Sequence, residues 1–268
     1  MFRSFETSDP AIAPEGLRFL TVKSAALDQR ADITLYTPPA MGPDTPICIL
    51  LHGVYGSHWA WAFKGGAHHT AGRLIGSGAI RPMVLAMPSD GLWGDGSGYV
   101  PHAQQDFERW IIDEVPAAVR QACVHCTPAS PLLLAGLSMG GFGALRLAGK
   151  HPQRLAAAAA HSTITDASQL DALIEEPRRG WSPLDADTSV LQALRQATGP
   201  LPPLRLDCGT DDFLLQANRV LHAELLAHGI EHVYAEHPGD HGWPYWATHL
   251  EDTLKFFDQV LARRGAPT

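Results

Sequence analysis

The chain has 268 residues, 45 % of them hydrophobic and 18 % charged, with a formal net charge of −8. That composition supplies a large core and excludes a disordered chain, and the acidic balance without a basic cluster argues against nucleic acid or an anionic membrane as partner. No apolar run reaches the roughly 18 residues of a membrane span, and residues 1–16 lack the apolar h-region of a signal peptide, so the expected location is the cytoplasm.

Taken in chain order, residues 16–23 and 31–37 are short β-rich runs joined by Ala25 to Arg30, which predicts a hairpin. Ile47 to Leu51 is a compact apolar run ending in His52-Gly53-Val54-Tyr55-Gly56-Ser57, the pattern of a buried parallel strand followed by a tight loop. An aromatic stretch with Trp59, Trp61 and Phe63 follows, then a helix over 66–76 that carries His68-His69. No carboxylate or third histidine lies at ligand spacing from that pair, so no metal is expected there. Met83 to Met87 is the next strand, and Ser89 to Pro101 a glycine-rich loop in which Asp90 and Asp95 suit turns. Residues 103–122 space Phe107, Trp110, Ile111, Val115 and Val119 as on a helix, which Pro116 should kink or divide.

The most informative stretch is Pro131 to Lys150. Leu132-Leu133-Leu134-Ala135 reads as a buried strand, Gly136-Leu137-Ser138-Met139-Gly140 as a sharp turn, and the helix formers Ala144 to Ala148, after Gly141-Phe142-Gly143, as a helix. The G-x-S-x-G elbow requires this context: a strained serine at the apex, small flanking residues that let the chain fold back, and a helix N-terminus behind it. Leu155 to Ala160 reads as another strand, although its alanines also suit a helix. Residues 163–200 are more polar and proline-containing, break the strand–helix rhythm, and are expected to form a cap or lid insertion with two short helices. Leu204 to Cys208, a helix over 214–228, Glu231 to Glu236 and a helix over 244–263 complete the chain. The expected fold class is α/β: one domain over 1–268, with a mostly parallel eight-stranded sheet covered by helices on both faces.

Cys48 and Cys208 lie in strand-like runs and read as small buried hydrophobes. Cys123 and Cys126 have redox or metal spacing but no second pair to complete a zinc site.

A serine hydroxyl needs a base to become a nucleophile, and the base needs a carboxylate to orient it. In sheets of this kind the order is Ser, then Asp or Glu, then His, each in a loop at a strand's carboxyl end. Gly209-Thr210-Asp211-Asp212-Phe213 and Pro238-Gly239-Asp240-His241-Gly242-Trp243 meet both conditions. His241 is favoured as base over His237, four residues earlier. Oxyanion donors should be the amides of Met139, next to the nucleophile, and Val54, in the loop after the strand at 47–51. Trp59, Trp93, Tyr99 and Trp181 lie in loops or the insertion where a substrate pocket could form.

Together GLSMGG, LHGVYGS, CGTDDFL and GDHGWPYW resemble the esterase D family of serine hydrolases within the α/β-hydrolase fold, over about residues 15–262. That family includes S-formylglutathione hydrolases, tributyrin-type esterases and, more distantly, mycolyltransferases, and by its HGVYGS loop this chain resembles the tributyrin or acyl-ester branch more closely. The resemblance implies Ser138 as nucleophile, Asp212 as acid through the Gly-x-x-Asp spacing, His241 as base, and the amides of Val54 and Met139 as oxyanion donors. It implies a small-molecule ester as substrate, without cofactor or metal. The acyl group stays open at this point, as do homo-oligomer formation, acyl transfer in place of hydrolysis, and a non-catalytic relative of the fold.

Overall fold

The computed structural model describes residues 2–264 except Pro10, Trp93, Arg179 and Pro183. Nine strands form one sheet in the order β1-β2-β3-β5-β4-β6-β7-β8-β9. They are β1 Phe5–Thr7, β2 Leu17–Ser24, β3 Gln29–Tyr36, β4 Ile47–Leu51, β5 Val84–Pro88, β6 Leu132–Leu137, β7 Ala157–His161, β8 Leu204–Gly209 and β9 Val233–His237. The six strands from β5 to β9 across the sheet run parallel, whereas β1, β2 and β3 are antiparallel to their neighbours.

The expectation of eight strands is corrected to nine. The added strand, β1, is three residues long and pairs Phe5 with Val22 and Thr7 with Leu20. Such a short edge strand with two exposed residues leaves no periodic signal to read.

Strand periodicity divides the core into two layers. Along β4, Ile47, Ile49 and Leu51 face the layer that holds Phe107, Trp110 and Phe142, while Cys48 and Leu50 face the layer of Trp61, Leu250 and Phe257. Helices α4 Val115–Ala122, α5 Met139–Lys150, α7 Val190–Arg195 and α8 Leu215–Ala227 supply the first layer. Helices α1 Ala60–Phe63, α2 Ala67–Gly76 and α9 Trp243–Arg264 supply the second. Each fully buried leucine or phenylalanine contributes on the order of 1.5–3 kcal/mol, so these two layers, not the loops, hold the sheet rigid beneath the site. All four cysteines are buried free thiols, and burial raises those of Cys48, Cys126 and Cys208 above the ordinary thiol range. Among the described residues, no helix is long and apolar enough to cross a membrane.

Around Pro116 the helix neither breaks nor simply bends. A short α3 (Phe107–Arg109) runs into a π-helical turn, Trp110–Glu114, and Pro116 opens the first turn of α4. The proline cannot donate a backbone hydrogen bond, and the wider turn ahead of it absorbs the mismatch.

The segment 163–200 holds a 3-10 helix, Ala167–Ala172, then α6 Asp185–Thr188 and α7. It packs mainly along α5: Asp187, fully buried, binds Arg146 at 2.7 Å, and Arg146 also binds Glu108 at 2.8 Å. Burial pushes the Glu108 carboxyl up, but His151, Arg146 and Lys150 outweigh it and hold it well below the usual carboxylate range. A carboxylate depressed in the folded state stabilises above its unfolded pKa, about 4.3 for glutamate, and that stability is lost as pH falls through the folded value. Glu108→Gln should therefore lower stability at neutral pH by roughly 2–3 kcal/mol, less than the ~3–5 kcal/mol of fully breaking a buried pair, because Arg146 keeps Asp187. The difference from wild type should shrink as pH drops below ~4, which denaturant melts at several pH values would measure. A deficit independent of pH would contradict this account.

Candidate active site

β6 ends at Leu137 and α5 starts at Met139, so Ser138 alone makes the turn between them, with φ 51° and ψ −118°. A left-handed φ at a non-glycine residue is strained, and packing on every side holds it there. Gly140 makes the reversal possible: a Cβ there would lie 2.6 Å from the carbonyl oxygen of His52. Gly53 plays the same part from the facing loop, since its own added Cβ would meet Leu137 Cδ1 at 2.9 Å and Ser138 Cβ at 3.3 Å. Two residues without side chains thus bring the β4 loop against the serine.

The serine hydroxyl meets His241 and Asp212 in sequence. His241 Nε2 lies 3.1 Å from Ser138 Oγ, and His241 Nδ1 lies 2.8 Å and 3.0 Å from the two Asp212 oxygens. Asp212 follows β8 and His241 follows β9, so both reach the site from the carboxyl ends of adjacent parallel strands. Burial pushes the Asp212 carboxyl up, but the hydrogen bonds from His241 and from the Leu214 amide outweigh it and keep the acid below its usual range. An ionised carboxylate at Nδ1 fixes the ring with its proton on that side and its lone pair on Nε2, toward the serine.

The two rival residues lie elsewhere. Asp211 is exposed, its side chain in contact with Thr210 Oγ1 at 3.5 Å. His237 stacks on His249, with ring centroids 4.2 Å apart, at the end of β9. Asp211 faces solvent, and the Leu214 amide donates to Asp212 Oδ1, at 2.8 Å.

Met139 and Val54 carry backbone amides that, among the described residues, donate to no other protein group. Met139 is also the first residue of the 12-residue α5, where the helix's positive end adds to the field. Val54 is fixed from behind: Tyr55, at φ 57°, donates its amide to Asp95 O at 2.8 Å. The loop is further supported by His52, whose Nδ1 donates to Gly53 O at 2.7 Å while its Nε2 accepts from the Asp90 amide at 3.3 Å. Asp90 is accordingly no flexible turn former. It is buried, and its Oδ2 accepts from the Ser97 amide at 2.9 Å.

A cavity of about 310 Å³ opens onto Ser138 and His241. Val54, Tyr55, Trp59, Lys64, Leu137, Trp243 and Trp246 are among its walls. Trp59 is thus placed where expected, with 41 % of its surface exposed at the mouth. Trp93 lies outside the described residues. Tyr99 is corrected: it is fully buried, its hydroxyl donating to His52 O at 3.1 Å, and it supports the loop instead of lining the cavity. Trp181 is corrected as well. It stacks on His102, centroids 4.9 Å apart, and packs over Gly98. None of the described residues of 163–200 lines the cavity; the segment meets residues of its wall where Tyr55 donates to Leu173 O at 3.0 Å and where the Ile164 amide donates to Ser138 O at 3.3 Å.

The sequence pointed to neither Trp243 nor Trp246 as a wall. Both follow His241 closely in the chain, in the first turn of α9. Trp246 meets the His241 ring edge-on at 5.0 Å, and Trp243 meets Trp246 at 5.4 Å. A larger cavity, about 840 Å³, lies beside the β2–β3 turn and α4 and contains none of these groups. Chemistry, not size, therefore locates the site.

The chain matches a family model described as "Putative esterase" over residues 24–257. It is 25 % identical over 230 residues to an acetyl esterase of Caldicellulosiruptor saccharolyticus, covering 79 % of this chain and 82 % of that one. Among solved structures, a ferulic acid esterase superposes with a TM-score of 0.73 at 23 % identity, over 96 % of this chain and 99 % of its own. An S-formylglutathione hydrolase from Staphylococcus aureus superposes with a TM-score of 0.76 at 18 % identity, over 94 % and 99 %. These likenesses identify the architecture as the α/β-hydrolase fold.

Proposed function

The chain belongs to the esterase family and is a carboxylesterase, and from that premise we propose that Ser138, His241 and Asp212 are its catalytic triad, acting through an acyl-enzyme on short-chain esters. The observation that carries the reading is the unbroken path from Asp212 through His241 to Ser138, at 2.8 Å and 3.1 Å. His241 Nε2 takes the hydroxyl proton as Ser138 Oγ attacks the ester carbonyl. Negative charge develops on the carbonyl oxygen, and the amides of Val54 and Met139 receive it. Collapse of the tetrahedral species expels the alcohol, which takes the proton from His241 and leaves the acyl group on Ser138. Water, deprotonated by the same ring, then releases the acid and restores the serine.

The short-chain preference rests on the cavity. Its 310 Å³ is at the low end of the ~300–1,000 Å³ typical of ligand pockets, and indole rings of Trp59, Trp243 and Trp246 wall it. A series of p-nitrophenyl esters from acetate to palmitate tests the reading. kcat/KM should peak from acetate to butyrate and fall by at least about tenfold at octanoate, a barrier increase of ~1.4 kcal/mol. A profile that rises to palmitate would remove the chain-length preference and leave the triad in place.

A further inference from the structure

His68 and His69 take no part in the ester chemistry, yet the fold brings a carboxylate to both. Glu15 Oε2 lies 3.3 Å from His68 Nε2 and 3.3 Å from His69 Nε2. Successive helical residues normally diverge by about 100°, but here the two rings overlap, with centroids 4.0 Å apart. One donor atom from each of the three residues falls within 4.8 Å of the others. Both carboxylate–imidazole separations are 3.3 Å. They match the edge of a tetrahedron whose bonds are about 2.0–2.1 Å, the lengths zinc makes to imidazole nitrogen and carboxylate oxygen.

We propose that Glu15, His68 and His69 form a binding site for a divalent transition-metal ion of the zinc type, with the fourth position open to solvent. Two imidazoles and one carboxylate suit zinc, whereas calcium and magnesium require predominantly oxygen donors. The site spans two parts of the chain: Glu15 belongs to the turn before β2, at φ 56°, and the histidines to the first turn of α2. His68 has only 4 % of its side chain exposed, so one ligand of the trio is held in place by the surrounding fold. The positive end of α2 works against a cation here, and the Glu15 carboxylate offsets it. Bound metal would clamp the segment before β2 onto α2.

Isothermal titration of zinc chloride into the chelator-treated full chain, with a thermal melt at each loading, tests this. One zinc per chain and a raised Tm are expected, with no comparable response to magnesium or calcium. His69→Ala and Glu15→Gln alter exposed side chains and should leave the fold intact. Loss of an outer-shell partner alone weakens metal binding about 10–100-fold, so each variant should lose at least that. Absence of stoichiometric binding would overturn the proposal. Undiminished binding in both variants would also overturn it and would place the metal elsewhere, for example at His237, His249 and Asp252, the other such trio among the described residues.

Discussion

Ser138→Ala is expected to cost about a millionfold in ester turnover, the scale seen when a triad nucleophile is removed. The side chain is not exposed, as a serine at an elbow apex might suggest. Only 2 % of the residue is accessible, and it lines the cavity. Burial does not endanger the test, because alanine removes one atom, keeps the Cβ, and inherits the same strained backbone. The strain, on the order of 1–3 kcal/mol, is therefore present in both proteins and cancels. The melt of the variant should stay close to wild type while hydrolysis disappears. Near-normal turnover in the purified variant would dismiss Ser138 as the nucleophile.

Asp212→Asn is the second large effect. Asparagine fits the same space, but its amide NH2 cannot accept from His241 Nδ1 as both carboxylate oxygens now do, at 2.8 and 3.0 Å. The ring is left free to adopt the tautomer that puts a proton on Nε2, where it can no longer accept from serine. An equivalent change in another triad costs about ten-thousandfold in turnover. Asp211→Asn provides the control: its side chain is exposed and its hydrogen-bond partner among the described residues is Thr210, so turnover should change by less than about twofold, within the range of neutral surface substitutions. A crippled Asp211→Asn beside an active Asp212→Asn would reverse the assignment of the acid.

The contrast between these neighbours shows what the sequence carried. The elbow was legible because apolar strand, glycine turn and helix formers come in one order that few other structures tolerate. The loops that bring Asp212 and His241 to Ser138 lie after strands, a position readable in the sequence, and His237 differs from His241 in lying at the end of β9 itself. Pocket walls were less so, because a tryptophan reads alike whether it lines a cavity or packs. Tyr99 and Trp181 turned inward to support loops, while Trp246 packs against His241 and Trp243 against Trp246. The buried His52–Asp90 pair joins residues 38 apart in sequence, and no local pattern marks such a contact. The same holds for Glu15 and His68, which spacing alone kept apart. The docking of segment 163–200 along α5 depends on Asp187 meeting Arg146, again a contact between distant residues.

The central claim is that Ser138 Oγ is the atom that becomes acylated. A fluorophosphonate probe tests it directly, since an activated serine displaces fluoride and keeps a covalent Oγ–P bond. Intact mass after treatment should show one adduct per chain, and peptide mapping should place it on Ser138, with none formed by Ser138→Ala and markedly slower labelling of Asp212→Asn. An adduct on a different serine, or an unlabelled protein that still hydrolyses esters, would contradict the account.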